Sequence, residues 1–162
     1  MSEQRVLSVP ALSLVVLVGV SGSGKSTFAA RAFAPFETLS SDFCRGLVSN
    51  DPNDQAATTA AFDVLHHIAA HRLDAGLLTV VDATNVQQAA RKSLVDLARA
   101  HDVLPVAIVL DVPEDVCLAR NRARADRDFG DRVVHQQRSQ LRRSLRGLAR
   151  EGFRTVHVLH GV

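Results

Sequence analysis

LSLVVLVGVSGSGKS, residues 12–26, contains the first structural unit that can be recognised in this 162-residue chain. Its first half, Leu12–Val18, is an almost unbroken run of leucine and valine, which is typical of a strand buried on both faces of a parallel sheet. A glycine-rich turn follows at residues 19–24, and Lys25–Phe33 has the pattern of a helix. The segment therefore predicts a strand, a tight turn and a helix in direct succession.

The turn in this segment matches the pattern GxxxxGK[ST] from Gly19 to Ser26. Glycines allow backbone N–H groups to turn inward around phosphate groups, and the N-terminus of the following helix adds partial positive charge. In this pattern Lys25 reaches the β- and γ-phosphates of a nucleotide, and the Ser26 hydroxyl binds Mg²⁺. The residues expected to bind the nucleotide are Gly22, Ser23, Gly24, Lys25, Ser26 and Thr27.

Strands and helices alternate along the rest of the chain. Further strands are predicted at Glu37–Ser40, Leu77–Val81, Val103–Leu110 and Phe153–Leu159. Helices are predicted at residues 25–33, 55–73 and 86–100, from Pro113 onward, and along an arginine-rich stretch that ends near Arg150. This order predicts a three-layer α/β fold, in which helices cover both faces of a parallel sheet of about five strands. We expect one domain over residues 1–162, with an arginine-rich lid at about residues 113–132.

Charge is distributed unevenly along the chain. The net charge is only +2, but residues 120–150 contain ten arginines and three aspartates. This segment therefore carries +7, and the rest of the chain carries −5. A basic segment of this kind points to an anionic partner, although a solvated helix face produces the same pattern.

Membrane and export signals are not evident in the sequence. The longest apolar run, Leu12–Val20, is about half as long as a membrane span, and residues 1–10 lack the apolar core of a signal peptide. Cys44 and Cys117 form no metal-binding pattern and suit a reducing compartment. These features favour a cytoplasmic protein that does not bind membranes.

Asp82 ends the third predicted strand, where a phosphate-loop protein carries a second acid associated with Mg²⁺. We expect it to hold the ion through water. The next residue is Ala83 rather than the glutamate that polarises water in many ATPases, and the guanine-reading NKxD motif does not occur. These features favour phosphate transfer to an acceptor other than water. Asn85, with Gln88 three residues later, fits a helix cap.

The motif SSDFCR, residues 40–45, follows the second predicted strand. Ligands of open α/β sheets bind at the carboxyl ends of the strands, which places Asp42 near the phosphates. Asp42 can then accept the proton of an attacking hydroxyl as a general base, cap the next helix, or do both. Arg45 lies one turn further along and can bind a phosphate on the acceptor or form a surface ion pair.

Arg120, Arg124 and Arg127 have the spacing that places side chains on one face of a helix. Arginines at this point can neutralise charge on a transferring phosphoryl group, whereas Arg122 points elsewhere. Four later arginines are expected on the outer surface or along nucleic acid, outside the catalytic site: Arg138, Arg142, Arg146 and Arg150. Three histidines are expected to be surface or packing residues rather than metal ligands: His66, His67 and His71.

The chain resembles the kinase domain of bacterial polynucleotide kinase-phosphatase from about Leu14 to Leu159, and the segments that carry the resemblance are GVSGSGKSTFA, SSDFCRGL, NDQ with AAFDVLHHI, LLTVVDATNV and RNRARADR. The resemblance implies a P-loop phosphotransferase fold and polynucleotide 5′-hydroxyl kinase activity. In that reaction the γ-phosphate of ATP or another NTP passes, with Mg²⁺, to the 5′-OH end of RNA or DNA. Two alternatives stay open, a P-loop kinase that phosphorylates a small-molecule hydroxyl and a nucleotide-binding module without transfer.

The resemblance also implies roles for single residues. Lys25 and Ser26 match the phosphate and Mg²⁺ residues, and Asp42 matches the general base. Arg45 matches the arginine that holds the first phosphate beyond the acceptor nucleoside. Arg120 and Arg124 match the lid arginines on the donor phosphates, and Arg127 matches the arginine that follows them. Val133 lies where the family has an apolar contact to the terminal base. The implied partners are single-stranded or end-frayed nucleic acid with a 5′-OH, and phosphatase and ligase modules in a longer parent chain.

Overall fold

A five-stranded sheet forms the centre of the protein, for which a computed structural model describes residues 6–124 and 130–161. The strands, in chain order, are β1 (Ser13–Val18), β2 (Thr38–Ser40), β3 (Thr79–Asp82), β4 (Leu104–Leu110) and β5 (Thr155–Leu159). They lie in the order β2-β3-β1-β4-β5, and all neighbouring pairs are parallel. The strand that precedes the phosphate loop is therefore the central one.

Helices cover both faces of the sheet, and the predicted three-layer α/β fold is confirmed. The helices are α1 (Lys25–Ala32), α2 (Ser41–Ser49), α3 (Thr58–Asp74), α4 (Gln88–Ala100), α5 (Glu114–Ala123) and α6 (Asp131–Leu145). Short 3₁₀ turns are present at Pro35–Glu37, Gln55–Ala57 and Leu148–Arg150. Over the two described ranges, no helix combines the length and the apolar character needed to cross a membrane.

The core forms around β1 because both faces of this strand are covered. All side chains from Leu14 to Val18 are fully buried. On α3, the buried residues recur every four positions, which keeps them on one face toward the sheet: Ala61, Leu65, Ala69 and Leu73. Burial of one such leucine or valine side chain contributes about 1.5–3 kcal/mol to folding. This core fixes the strand ends from which the candidate site is built.

Two predicted helices have different boundaries in the structure. The helix predicted from residue 55 begins with a 3₁₀ turn, Gln55–Ala57, in which the Asp54 side chain accepts a hydrogen bond from the Ala56 N–H. The arginine-rich helix ends at Leu145 instead of near Arg150, and Leu148–Arg150 forms a separate turn after Gly147. Glycine has a low helix propensity, which explains the interruption.

Asn85 does not cap α4, and that prediction was wrong. The helix begins at Gln88 with Gln87 at its N-cap, whereas Asn85 lies in the preceding loop with a left-handed φ of 49°. Asparagine adopts this conformation more readily than most residues. The buried Nδ2 of Asn85 donates a hydrogen bond of 2.8 Å to the Leu17 carbonyl. The side chain therefore ties the loop after β3 to the end of β1.

A buried ion pair supports the same loop from the other side. Arg91 lies on the apolar face of α4 and is 1% exposed. Its guanidinium donates to both carboxylate oxygens of Glu151, at 2.7 and 2.6 Å, and to the Asn85 carbonyl at 3.0 Å. An arginine–carboxylate pair with two parallel hydrogen bonds has a defined geometry. Arg91 thus fixes the position of the loop that follows Asp82.

Candidate active site

Most of the predicted site residues meet at the carboxyl ends of β1, β2 and β3, whereas Ser23 is fully buried and does not line the cavity found there. A cavity of about 790 Å³ opens there, and we call it the main cavity. Its charged lining residues come from the phosphate loop, β3, α2 and the end of α5: Lys25, Asp82, Asp42, Arg45, Arg120 and Arg124. This is the edge at which open α/β sheets bind their ligands.

The phosphate loop, Gly19–Ser26, has the glycine geometry that anion binding requires. Gly22 and Gly24 have φ values of 83° and 96°, in the region that favours glycine. A Cβ on Gly22 would lie 2.5 Å from the Cys117 carbonyl oxygen of α5. Gly24 is the N-cap of α1 and provides no side-chain cap, so the first N–H groups of this helix remain available to an anion.

Lys25 is directed into the main cavity from the start of α1. The residue is 9% exposed, and its Nζ donates a hydrogen bond of 3.0 Å to the Val20 carbonyl within the same loop. A buried ammonium group held against the loop can bridge to a phosphate placed in the loop. The sequence pattern predicted this position for Lys25.

Ser26 and Asp82 come together although they are 56 residues apart in the chain. The Ser26 Oγ donates a hydrogen bond of 2.7 Å to Oδ2 of Asp82, and both residues line the main cavity. A hydroxyl and a carboxylate are oxygen ligands of the kind that Mg²⁺ prefers, and Mg²⁺ sites often use one or two protein groups together with substrate phosphates and water. The pair therefore fits the predicted metal role. No group of three or more His, Cys, Asp or Glu residues that could hold a metal ion occurs within residues 6–124 and 130–161.

Asp42 and Arg45 form a second polar group in the main cavity. Arg45 Nη1 donates a hydrogen bond of 2.7 Å to Oδ1 of Asp42, and Arg45 Nε donates one of 3.2 Å to Oγ1 of Thr58. Arg45 therefore forms an ion pair, as one of its two predicted alternatives has it, but the arginine side chain is only 12% exposed and the pair lines the cavity. The alternative of Asp42 as a helix cap was wrong, because the Ser40 hydroxyl accepts the capping bond from the Phe43 N–H. Asp42 lines the cavity as the carboxylate partner of Arg45.

The arginines of α5 divide as their spacing predicts. Arg120 donates a hydrogen bond of 3.3 Å to the Gly22 carbonyl, and Arg124 is the C-cap of α5. Both line the main cavity. Arg122 points away and forms an exposed ion pair with Asp131. Arg127 lies outside the described residues.

Helix α6 provides a wall of the main cavity that the sequence analysis largely missed. Val133 lies there as expected, together with three glutamines: Gln136, Gln137 and Gln140. The Oε1 of Gln137 accepts a hydrogen bond of 2.8 Å from the Ser21 N–H, which links α6 directly to the phosphate loop. The spacing of Val133, Gln136, Gln137 and Gln140 along one helix face was a signal available in the sequence.

Arg138 is not an outer-surface residue, which corrects the prediction for this position. It forms an ion pair with Asp111, at the end of β4, and both side chains are 17% exposed. Arginines at 142, 146 and 150 are exposed, as expected. Half-burial of Arg138 follows from its place on the inner side of α6, close to the end of the sheet.

Both cysteines are free and buried thiols. Burial raises the pKa of Cys117, and the nearby positive charge of Lys25 opposes this rise. Burial also raises the pKa of Cys44. His66 on α3 is partly buried, which lowers its pKa. These directions suit packing roles, because a buried thiol of raised pKa is a poor nucleophile.

Comparison with known protein families gives a match over most of the chain. Residues 14–157 match the model of a family described as AAA domain, and the chain therefore belongs to that family. No curated protein matches the chain.

Solved structures with the same fold include several enzymes. A chain of the Pnkp1/Rnl/Hen1 RNA repair complex is 19% identical, with a TM-score of 0.71, over 85% of this chain and 47% of its own length. The APS kinase CysC of Mycobacterium tuberculosis, in complex with AMPPNP and APS, is 24% identical over 70% of each chain, with a TM-score of 0.55. Shikimate kinase from Acinetobacter baumannii, in complex with shikimate, is 17% identical over 93% of this chain and 86% of that chain, with a TM-score of 0.58. The protein thus has the P-loop kinase fold, and it spans about half the length of the first of these relatives.

Proposed function

We propose that this protein is a polynucleotide 5′-hydroxyl kinase, which transfers the γ-phosphoryl group of ATP or another NTP to the 5′-OH end of RNA or DNA. The observation that carries the proposal is the Asp42–Arg45 pair, which shares one cavity with the phosphate loop. A general base and a phosphate-binding arginine, three residues apart, suit an acceptor that presents a hydroxyl and a nearby phosphate. The structural similarity to the Pnkp1/Rnl/Hen1 RNA repair complex supports the same acceptor class.

In the proposed reaction the 5′-oxygen of the acceptor attacks the γ-phosphorus in line with the leaving group. The bond from the γ-phosphorus to the β,γ-bridging oxygen breaks, and the nucleoside diphosphate leaves. The carboxylate of Asp42 accepts the proton of the attacking hydroxyl. A positioned base of this kind accounts for roughly 10²–10⁴-fold of the rate.

On the donor side, the phosphate loop binds the triphosphate through its backbone N–H groups and Lys25. Arg120 and Arg124, which line the main cavity, neutralise charge on the transferring group. Ser26 would bind Mg²⁺ directly and Asp82 would hold it through water, and the ion supplies further charge neutralisation at the phosphates. Arg127 would extend the donor site.

On the acceptor side, Arg45 would bind the first phosphate after the terminal nucleoside, and Val133 would contact the terminal base. Both residues line the main cavity. We propose that residues 113–132 act as a lid that excludes water during transfer, since hydrolysis of the donor would otherwise compete. Phosphatase and ligase modules in a longer parent chain, which the resemblance implies, belong to the same proposal.

A second candidate is a P-loop kinase that phosphorylates the hydroxyl of a small molecule. One observation favours it: Asp42 and Thr58 already provide hydrogen-bond acceptors for Arg45, so this arginine does not require a phosphate to be satisfied. The fold is also that of APS kinase and shikimate kinase. A polynucleotide kinase requires an acceptor with a phosphate beyond the reacting nucleoside, whereas a small-molecule kinase does not.

Transfer from γ-labelled ATP to a 5′-OH oligonucleotide, with Mg²⁺, tests the proposal in wild type and Asp42→Asn. We expect Asp42→Asn to lower turnover by roughly 10²–10⁴-fold, with nucleotide affinity nearly unchanged because Asp42 does not belong to the phosphate loop. Ser49→Ala on the same helix is the control, and near-normal turnover is expected. If Asp42→Asn retains near-normal transfer, the general-base role is wrong.

A further inference from the structure

One face of α6 forms a wall of the main cavity that carries no charge. Its cavity-lining residues, Val133, Gln136, Gln137 and Gln140, lie three, four and seven positions apart and therefore share a helix face. The charged lining residues all lie on the phosphate loop, β3, α2 and the end of α5. An acceptor that extends from Asp42 toward α6 therefore passes from a charged region into a neutral one.

The glutamines of this wall differ in how they are bonded. Gln137 uses its Oε1 to accept from the Ser21 N–H. Gln136 is exposed and Gln140 is half-buried, and neither side chain forms a hydrogen bond to another residue in the described part of the chain. The apolar side chains of Val133, Phe62 and Val86 line the same cavity. The cavity thus combines glutamine amides that bond to no other side chain or backbone group of the described residues with apolar surface.

This combination matches the chemistry of a nucleobase. A base presents flat apolar faces and an edge of hydrogen-bond donors and acceptors, and a glutamine amide contains two N–H donors and one carbonyl acceptor. Glutamine can pair with a base edge through both groups at once. A carboxylate or phosphate on a small metabolite would instead require a cation, and the α6 wall has none directed into the cavity.

We propose that Gln136 and Gln140 bind the edge of the 5′-terminal base of the acceptor, and this inference rests on the proposed function. Because an amide can present either group to the base, the two glutamines bind all four bases without strong selection. They therefore distinguish an acceptor that carries a terminal base from one that lacks it, but they do not distinguish one base from another. Arg45 and Asp42, which line the same cavity from α2, act on the phosphate and the hydroxyl.

The test compares two enzymes on two substrates, which gives four combinations. The substrates are one 5′-OH oligonucleotide with a normal terminal nucleotide and the same strand with an abasic terminal sugar. The enzymes are wild type and Gln136→Ala/Gln140→Ala, and kcat/KM for label transfer is measured for each pair. We expect wild type to prefer the normal end, and the double variant to lose roughly 5-fold or more of that preference, since one neutral hydrogen bond corresponds to about 2- to 10-fold.

Gln88→Ala is the matched control, because Gln88 lines a neighbouring cavity but not the main one. It should retain the wild-type preference, and thermal unfolding of all three proteins should agree. An unchanged preference in the double variant, with normal transfer to both strands, overturns this inference and leaves the proposed function intact. If wild type labels neither of the two strands, the proposed function is contradicted, and this inference is contradicted with it.

Discussion

Oγ of Ser26 lies 2.7 Å from Oδ2 of Asp82 and donates a hydrogen bond to it, which joins the phosphate loop to the neighbouring strand β3. Asp82 is the last residue of the fully buried strand β3, and Ser26 lies in the first turn of α1, directly after the loop that follows the fully buried strand β1. These two oxygens would hold an Mg²⁺ ion, which would supply charge neutralisation at the donor phosphates. The hydrogen bond therefore holds together the two side chains that we propose as the Mg²⁺ site.

Removal of either oxygen should weaken the use of Mg²⁺. For Ser26→Ala and Asp82→Asn, we expect transfer at saturating ATP to fall by roughly 10-fold or more, and the Mg²⁺ concentration for half-maximal rate to rise. Ser93→Ala, which removes an exposed hydroxyl on α4, is the control. A Mg²⁺ titration of each variant provides the measurement. Unchanged Mg²⁺ dependence in both site variants would remove these residues from the metal site.

Gly22 should not tolerate a side chain. Gly22→Ala would place a Cβ 2.5 Å from the Cys117 carbonyl at a φ of 83°, so the loop must shift. A left-handed conformation alone costs about 1–2 kcal/mol for an L-residue. We expect lower thermal stability and loss of most ATP affinity, measured by thermal unfolding and by nucleotide titration.

Gly46→Ala is the matched control for that variant. Gly46 lies in α2, and a Cβ added there would meet only Pro52 Cδ, at 4.0 Å, beyond the backbone of its own helix. Alanine is a better helix former than glycine, by roughly 0.5–1 kcal/mol. Gly46→Ala should therefore be neutral or stabilising. Equal losses in the two variants would contradict the steric explanation for Gly22.

Arg124 and Arg122 should differ in their effect on transfer. Arg124 lines the main cavity, whereas Arg122 forms an exposed ion pair with Asp131. Loss of one group that stabilises the transferring charge typically costs about 10²–10³-fold in kcat, which we expect for Arg124→Ala. Arg122→Ala should remain within about 2-fold of wild type, because exposed ion pairs contribute little. Similar kcat values for the two variants would exclude a special role for Arg124.

Glu151 should be important for stability although it is far from the phosphate loop in sequence. Glu151→Ala leaves the buried Arg91 guanidinium without its carboxylate, and removal of one partner of a buried pair costs about 3–5 kcal/mol. Chemical denaturation should show this loss. Lys92→Ala, which removes the neighbouring exposed ion pair with Asp96, should change stability by less than about 1 kcal/mol. If both variants unfold at the same denaturant concentration, the buried pair does not have this role.

The sequence predicted the order of strands and helices because hydrophobic runs and glycine turns are local signals. The phosphate loop was recognisable since its backbone conformation needs particular residues at fixed spacing, and Ser26 and Lys25 lie where the pattern placed them. Helix ends were less certain, as shown by Asn85, which fits a capping pattern but bonds to Leu17 across the sheet. Contacts over 68 residues of sequence are set by packing rather than by neighbours in the chain.

Other features could not be derived from local patterns. The Arg91–Glu151 pair depends on the turn after α6 meeting α4, and the only sequence signal was a charged residue within an apolar helix face. Arg138 has the same residue type and spacing as its exposed neighbours, so its pairing with Asp111 required the structure. The bond between Gln137 and Ser21 likewise depends on how α6 packs against the phosphate loop.

The central claim is tested most directly by the choice of acceptor. Label transfer from γ-³²P-ATP with Mg²⁺ should be measured for a 5′-OH dinucleotide, the same dinucleotide with a 5′-phosphate, a free nucleoside and shikimate. We expect label on the 5′-OH dinucleotide alone, because Arg45 then binds a phosphate while Asp42 contacts the hydroxyl. Label on the free nucleoside or on shikimate but not on the dinucleotide would contradict it and favour the small-molecule kinase.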